Sequence, residues 1–253
     1  MPAQLNELVA HLESTLEIQR FKDYCPNGLQ VEGRANVSRL ATGVTASQAF
    51  LDAAVAWGAD AVLVHHGYFW QGESPIISGM KRRRLATLLA NDVSLLAYHL
   101  PLDAHPTLGN NACFGRLLGV EVQELLDPSD ADSVGNIGSL PEPMTLAALL
   151  QRIAEFTGRS PLSIGEEQAT VQRIAWCTGA AQGYIEAAVT AGADVFITGE
   201  VSEQTVHIAR EEAIQFIAAG HHATERYGVQ AVGEAAATIF GLEHRFIDID
   251  NPV

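Results

Sequence analysis

Short apolar runs alternate along the chain with longer stretches in which apolar residues recur every three to four positions, the pattern of strands followed by amphipathic helices. The opening MPAQLNELVAHLE predicts a helix, and Cys25-Pro26-Asn27-Gly28 is the turn that closes this first segment. Leu40–Thr45 predicts a strand, residues 47–60 a helix halted at Gly58, and Ala61–Val64 a buried strand running directly into His65-His66-Gly67. Residues 81–91 predict a helix with a basic start. Ser94–Tyr98 predicts a strand ending in His99-Leu100-Pro101-Leu102-Asp103. This order suits βαβ units and a largely parallel sheet, an α/β fold. From about residue 121 the periodicity lapses. Asp127-Pro128-Ser129-Asp130 and Asn136 through Pro143 are turn-rich, and a helix is expected near 145–157.

The same order then returns. Residues 40–66 lie over residues 174–200 with 9 of 27 positions identical, among them Gly58-Ala59-Asp60 over Gly192-Ala193-Asp194. Alanine-rich helices resemble one another by composition, but composition does not set a Gly-Ala-Asp block before an apolar run of equal length twice. A structural repeat explains both. The later halves correspond too: one strand ends in His99 with Asp103 four residues on, the other in Gly220-His221 with Glu225 four residues on. The first copy is longer between its strand ends, and residues 67–80 are the expected insertion. The expected organisation is two repeated α/β units, 1–124 and 125–253, with residues from about 215 onward returning to complete a shared cleft.

Of nine histidines, six fall in three places, His65 and His66, His99 and His105, His221 and His222, each just after a short apolar strand. Ligands bind outside the carboxyl ends of strands in open α/β sheets, so this placement gathers imidazoles and carboxylates. Such a nitrogen and oxygen set suits zinc, manganese, iron or nickel. His65, His66, Asp103, His221 and Glu225 are more ligands than one catalytic ion with an open position needs, and they fit two divalent ions per chain. His99 is read first as a proton-transfer or substrate-contact residue, with metal ligand or hydrogen-bonding support of a ligand as the other roles. His105 reads as a loop or hydrogen-bonding residue, and His222 as a solvent-facing neighbour of a ligand, with metal contact as its other role. His11, His207 and His244 read as ordinary surface or core residues. Glu200, the repeat counterpart of His66, either lines the cleft or braces a ligand loop. Asn110-Asn111 reads most simply as a helix cap.

Charge and composition narrow the field. A formal charge of −15 supplies no counterion-release term for nucleic acid, and Lys81-Arg82-Arg83-Arg84 is the one basic run. That run reads as a solvated helix start or as a phosphate or subunit contact. Three widely spaced cysteines give neither a disulfide framework nor a CxxC site. No run is apolar enough to span a bilayer, and the expectation is a soluble, cytoplasmic protein. Tyr68-Phe69-Trp70 follows His66-Gly67 and reads as a packing loop, or as a platform that would stack on a heterocyclic substrate.

These motifs together resemble a known family. PNGLQVEG (26–33), TGVTASQA (42–49), VHHGYFW (64–70), HLPLDAHPTLGNNA (99–112), FITGEVSEQ (196–204) and AGHHATER (219–226) resemble the YbgI-like, or Nif-three-like, dinuclear metal-binding family. Its members are often labelled GTP cyclohydrolase I type 2 homologues. The resemblance covers nearly the whole chain. It implies a three-layer α/β protein of two intertwined repeats, a homohexameric ring, and metal ligands at His65, His66, Asp103, His221 and Glu225. The expected activity is metal-dependent hydrolysis of a nucleotide-like or other small substrate through a bridging water, with His99 moving a proton. The other reading is a non-catalytic metal-binding ring with a regulatory or partner-binding role.

Overall fold

The computed structural model describes residues 2–129 and 133–253. Asp130, in the turn-rich stretch, lies outside the described residues. The chain forms two compact units, one comprising the residues up to Leu102 together with Gly228–Asp250, the other Asp103–Tyr227 with Asn251–Val253. The sequence expectation put the division at 124/125 and gave the whole C-terminal stretch to the second unit.

The first unit contains β1 (Ala3–Gln4), α1 (Leu5–Thr15), β2 (Gly28–Val31), β3 (Asn36–Val37), β4 (Arg39–Thr45), α2 (Gln48–Trp57), β5 (Ala61–His66), α3 (Gly79–Ala90) and β6 (Ser94–Ala97). The short helix α4 (Leu100–Ala104) leads out of it. The second unit contains α5 (Asn110–Leu118), β7 (Glu121–Leu125), β8 (Asn136–Thr145), α6 (Leu146–Thr157), β9 (Leu162–Ile164), β10 (Thr170–Trp176), α7 (Ile185–Thr190), β11 (Val195–Thr198), α8 (Glu203–Glu211), β12 (Gln215–Ala218) and α9 (His221–Thr224). Helix α10 (Arg226–Phe240) carries the chain back to the first unit, which ends with β13 (Glu243–Phe246).

In the first unit the sheet order is β13-β4-β5-β6-β2, parallel except for β2. Its central strands are apolar and buried along most of their length, as strands covered on both faces must be. Ser47 caps α2 by accepting from the Phe50 N–H, and Gly58 ends that helix in the left-handed region at φ 82°. Phe50, Leu51, Val62, Val64, Leu88 and Leu95 form the adjoining core.

In the second unit the order is β7-β8-β10-β11-β12-β9. Only β10, β11 and β12 run parallel; β7, β8 and β9 pair antiparallel, so this sheet is mixed rather than largely parallel. Asn136 through Pro143, expected as turns, belongs to a ten-residue strand, Asn136–Thr145. Its Gly138 lies so close to the Glu121 backbone that a side chain would collide with it. The prolines that hide this strand from periodicity, Pro141 and Pro143, fall where its pairing with β10 shifts register. Period-two alternation divides the core around β10: Ile174 and Trp176 face one cluster with Leu149 and Ile153, while Ala175 and Cys177 face another with Phe196 and Phe216.

The repeat is visible element by element, with β4-α2-β5-α3-β6 matched by β10-α7-β11-α8-β12. The extra residues of the first copy lie largely in the loop 67–78 between β5 and α3, where the second copy has only 199–202.

Candidate metal centre

In the first unit, β5 ends in His65 and His66 and β6 is followed by His99, so the parallel pairing of these strands brings three imidazoles together. Ring centroids are 4.6 Å apart for His65–His66 and 5.1 Å for His65–His99, and one nitrogen from each of the three rings lies within 4.8 Å of the others. Each ring is held through Nδ1. His65 Nδ1 is 2.9 Å from the Tyr98 carbonyl, which can only accept, so Nδ1 carries the proton and Nε2 the lone pair. His66 Nδ1 is 3.1 Å from Thr45 Oγ1, and His99 Nδ1 is 2.7 Å from Asp23 Oδ1.

Asp23 had no role in the sequence reading. Its side chain is buried, and burial disfavours its charge. Hydrogen bonds from His99, Asn27 and the Leu100 N–H, together with the charge of His99, nevertheless lower its pKa to about 2. No spacing rule links Asp23 to His99; only the turn at Pro26-Asn27 does, with Asn27 Oδ1 accepting from the His99 N–H at 2.7 Å. Trp70 packs edge-on against His99 at 5.0 Å between centroids. Its loop is tied down by Gln30, which accepts from the Tyr68 N–H and donates to the Tyr68 carbonyl, and by Tyr68 Oη donating to the Ala46 carbonyl. Lys81 lies over Phe69 and pairs with Glu73 at 3.2 Å, and Arg84 lies over Tyr68, so two members of the basic run brace this loop.

In the second unit, Asp103, His221 and Glu225 come together. His221 opens α9 and Glu225 follows one turn later, placing Glu225 Oε2 3.2 Å from His221 Nε2. A Glu225 oxygen also lies within 4.8 Å of an Asp103 oxygen, so Glu225 stands between the other two. Glu200 holds His221 Nδ1 at 2.7 Å. Burial favours the neutral ring, but hydrogen bonds and charge from Glu225 and then Glu200 raise His221 to about 9. The neighbouring Cys177 thiol is pushed far up by burial and by the charges of Asp103 and Glu225.

Asn110 and Asn111 are buried and do more than begin a helix. Asn110 Nδ2 donates to Asp103 Oδ1 at 2.9 Å, and Asn111 Oδ1 accepts from the Thr178 N–H at 2.9 Å. The cap expected of them falls instead to Gly109. Gly179, at φ 74°, forms the floor beneath Glu225 and His221; a Cβ there would run into Glu225 Oε1. His105 is a loop brace, its Nδ1 accepting from the Thr107 and Leu108 N–H groups. His222 donates its backbone N–H to the Val253 carbonyl, His207 is exposed on α8, and His11 packs edge-on against Phe240.

Within each unit the donors, imidazoles in the first and an imidazole with two carboxylates in the second, are of the kind that divalent cations take. All four imidazoles, His65, His66, His99 and His221, have Nδ1 engaged by an oxygen, the arrangement that fixes a metal-binding histidine to present Nε2. Two carboxylates, Asp103 at 7% exposure and Glu225 at 3%, are sunk where an acidic group is costly without compensating charge. Among the described residues no helix is long and apolar enough to cross a membrane.

Comparison with known proteins agrees over the full length. The model of the Duf34/NIF3 (NGG1p interacting factor 3) family matches residues 3–252. A Pseudomonas aeruginosa protein named GTP cyclohydrolase 1 type 2 homolog is 58% identical over 252 residues, covering 100% of each chain. An Escherichia coli K12 protein of the same name is 53% identical, covering 97% of this chain and 98% of that one. The solved structure of protein ybgI, described as of unknown function, superposes with a TM-score of 0.94 at 52% identity, covering 99% and 100% of the two chains. A crystal structure of a Thermus thermophilus protein gives a TM-score of 0.89 at 34% identity over 99% of this chain and 100% of its own. The chain belongs to the Duf34/NIF3 family.

Proposed function

We propose that His65, His66, Asp103, His221 and Glu225 hold two divalent cations and that the protein is a metal-dependent hydrolase acting on a nucleotide-like or other small substrate. The observation that carries this reading is the common fixing of imidazoles through Nδ1, which a set of merely packed histidines does not need. Bound cations would supply Lewis-acid polarisation of a substrate oxygen and acidify water toward a pKa of ~7. The chain's own residues do the rest. Glu225, 3.2 Å from His221 and within 4.8 Å of Asp103, is the carboxylate that would join both in holding cations. Asn110 and Thr178 hold Asp103 in one orientation. His99, its Nδ1 proton committed to Asp23, presents Nε2 to take or give a proton at the leaving group. Trp70, its indole N–H donating to the Gly67 carbonyl, packs edge-on against His99 and steadies that ring.

The homohexameric ring and the cytoplasmic setting belong to this same reading. The experiment is elemental analysis of freshly purified protein followed by a panel of nucleotides and small esters assayed with and without zinc, manganese, iron and nickel. Two ions per chain and metal-dependent turnover abolished in Asp103→Ala support the proposal. Stoichiometric metal without turnover on any substrate would leave the ring as a metal-binding regulatory protein.

A further inference from the structure

Glu200 occupies, in the second repeat, the position that His66 holds in the first, yet it belongs to no group of potential ligands among the described residues. Its carboxylate instead meets the far side of His221, Oε1 lying 2.7 Å from Nδ1. We infer that Glu200 is a positioning residue that holds the His221 ring in one orientation and thereby sets the protein's grip on divalent metal; the inference rests on the metal-centre reading above.

The surrounding backbone is built to hold this pair. Three loops leave the ends of β10, β11 and β12 and are stitched together: the Gly199 N–H donates to the Gly179 carbonyl at 2.8 Å and the Gly220 N–H to the Gly199 carbonyl at 3.0 Å. Thr198 Oγ1 adds a bond to the Gly179 carbonyl at 3.1 Å and accepts from the Ala181 N–H at 3.2 Å. Gly199 passes so near the start of α9 that a Cβ would sit 2.6 Å from His221 Cα. Glu200 therefore leaves a rigid loop one residue from its contact with His221. With Nδ1 directed at a carboxylate, the ring rotates little and its Nε2 stays on the Glu225 side. The Glu200 carboxylate accepting from Nδ1–H also makes Nε2 a stronger donor to a cation, as carboxylate–histidine pairs do. The repeat has thus kept a polar residue at the same strand end in both copies but turned one into a ligand candidate and the other into a support for one. His99, the repeat counterpart of His221, draws the same support from a different place in the chain, Asp23.

The test measures zinc and manganese affinity of the full-length protein by competition with a chelating dye, for wild type, Glu200→Ala, Glu200→Gln and Glu200→Asp. Proton–nitrogen NMR of the metal-free proteins reads the hydrogen-bonded Nδ1–H of His221. Expected are a loss of about 10–100-fold in affinity for Glu200→Ala, an intermediate loss for Glu200→Gln, and recovery in Glu200→Asp. The downfield Nδ1–H signal disappears in Glu200→Ala, while the metal-free protein still unfolds in a cooperative thermal transition. Affinities within twofold of wild type across the series, or an Nδ1–H signal indifferent to Glu200, overturn the inference. Wild type that shows the Glu200-dependent signal but binds neither metal strikes the metal-centre reading alone and leaves the Glu200–His221 pairing standing.

Discussion

The His244 imidazole is half-buried, its Nε2 2.9 Å from Thr42 Oγ1 and packed against Gly233. Burial holds its pKa below the ordinary 6.5, with Glu234 opposing. The unfolded chain therefore takes up a proton that the folded chain resists. Above 6.5 both states are neutral and the stability is complete; as pH falls through 6.5 toward the folded value, stability is lost. Urea unfolding at pH 7.5 and 5.5 should show a smaller drop for His244→Gln than for wild type; equal drops would disprove it. Asn111 offers a different test. Removing its side chain in Asn111→Ala strips the buried Thr178 N–H of its acceptor and should cost about 1–3 kcal/mol in the same urea measurement. A change inside the error of wild type would mean Thr178 finds another partner. At this scale the sequence told half the story. The ligand candidates were legible because strand ends in an α/β chain are readable from apolar runs. Asp23, Asn110 and Asn111 were not, because their partners lie across loops whose path no periodicity encodes.

Loops at the strand ends decide the geometry of the candidate ligands, and in one of them Gly179 lies directly against the Glu225 carboxylate. A Gly179→Ala substitution forces a left-handed residue and drives a methyl group into the Glu225 carboxylate. The backbone conformation alone costs roughly 1–2 kcal/mol. Displacement of Glu225 adds a functional effect, so metal affinity should fall by a larger factor than stability does. Comparing the metal-free thermal midpoint with the dye-competition affinity separates the two, and an affinity equal to wild type would contradict the role given to this glycine. Several helices were legible, one with its stop at Gly58, because capping chemistry is local: Ser47 and Thr145 each accept from a first-turn N–H; the helices Glu203–Glu211 and Arg226–Phe240 were not read. Strand β8 was not. Its glycine and prolines look like turns until the partner strands β7 and β10 are in place to use the close approach and the register shift.

The repeat was readable from identities between residues 40–66 and 174–200, and the strand-end histidines followed from it. The path of the C-terminal chain was not, because β13 (Glu243–Phe246) has no repeat counterpart and too few residues for a period to emerge. It pairs parallel with β4 and covers the edge of the first unit's sheet, while Val229, Val232 and Ala236 of α10 are buried and Ile247 and Ile249 pack against that unit's core. A chain ending at Tyr227 would leave β4 as an unpaired edge with an apolar flank exposed. The first unit should then lose its cooperative fold although residues up to Leu102 are all present. Hydrogen exchange read by mass spectrometry is the measurement: amides of β4, β5 and β6 should exchange orders of magnitude faster than in the full chain, while those of β10, β11 and β12 stay protected. Protection of β4 through β6 in the shortened chain would mean that the returning segment decorates the first unit rather than completing it. Since His65, His66 and His99 hang on those same strands, fast exchange there should be matched by loss of metal binding.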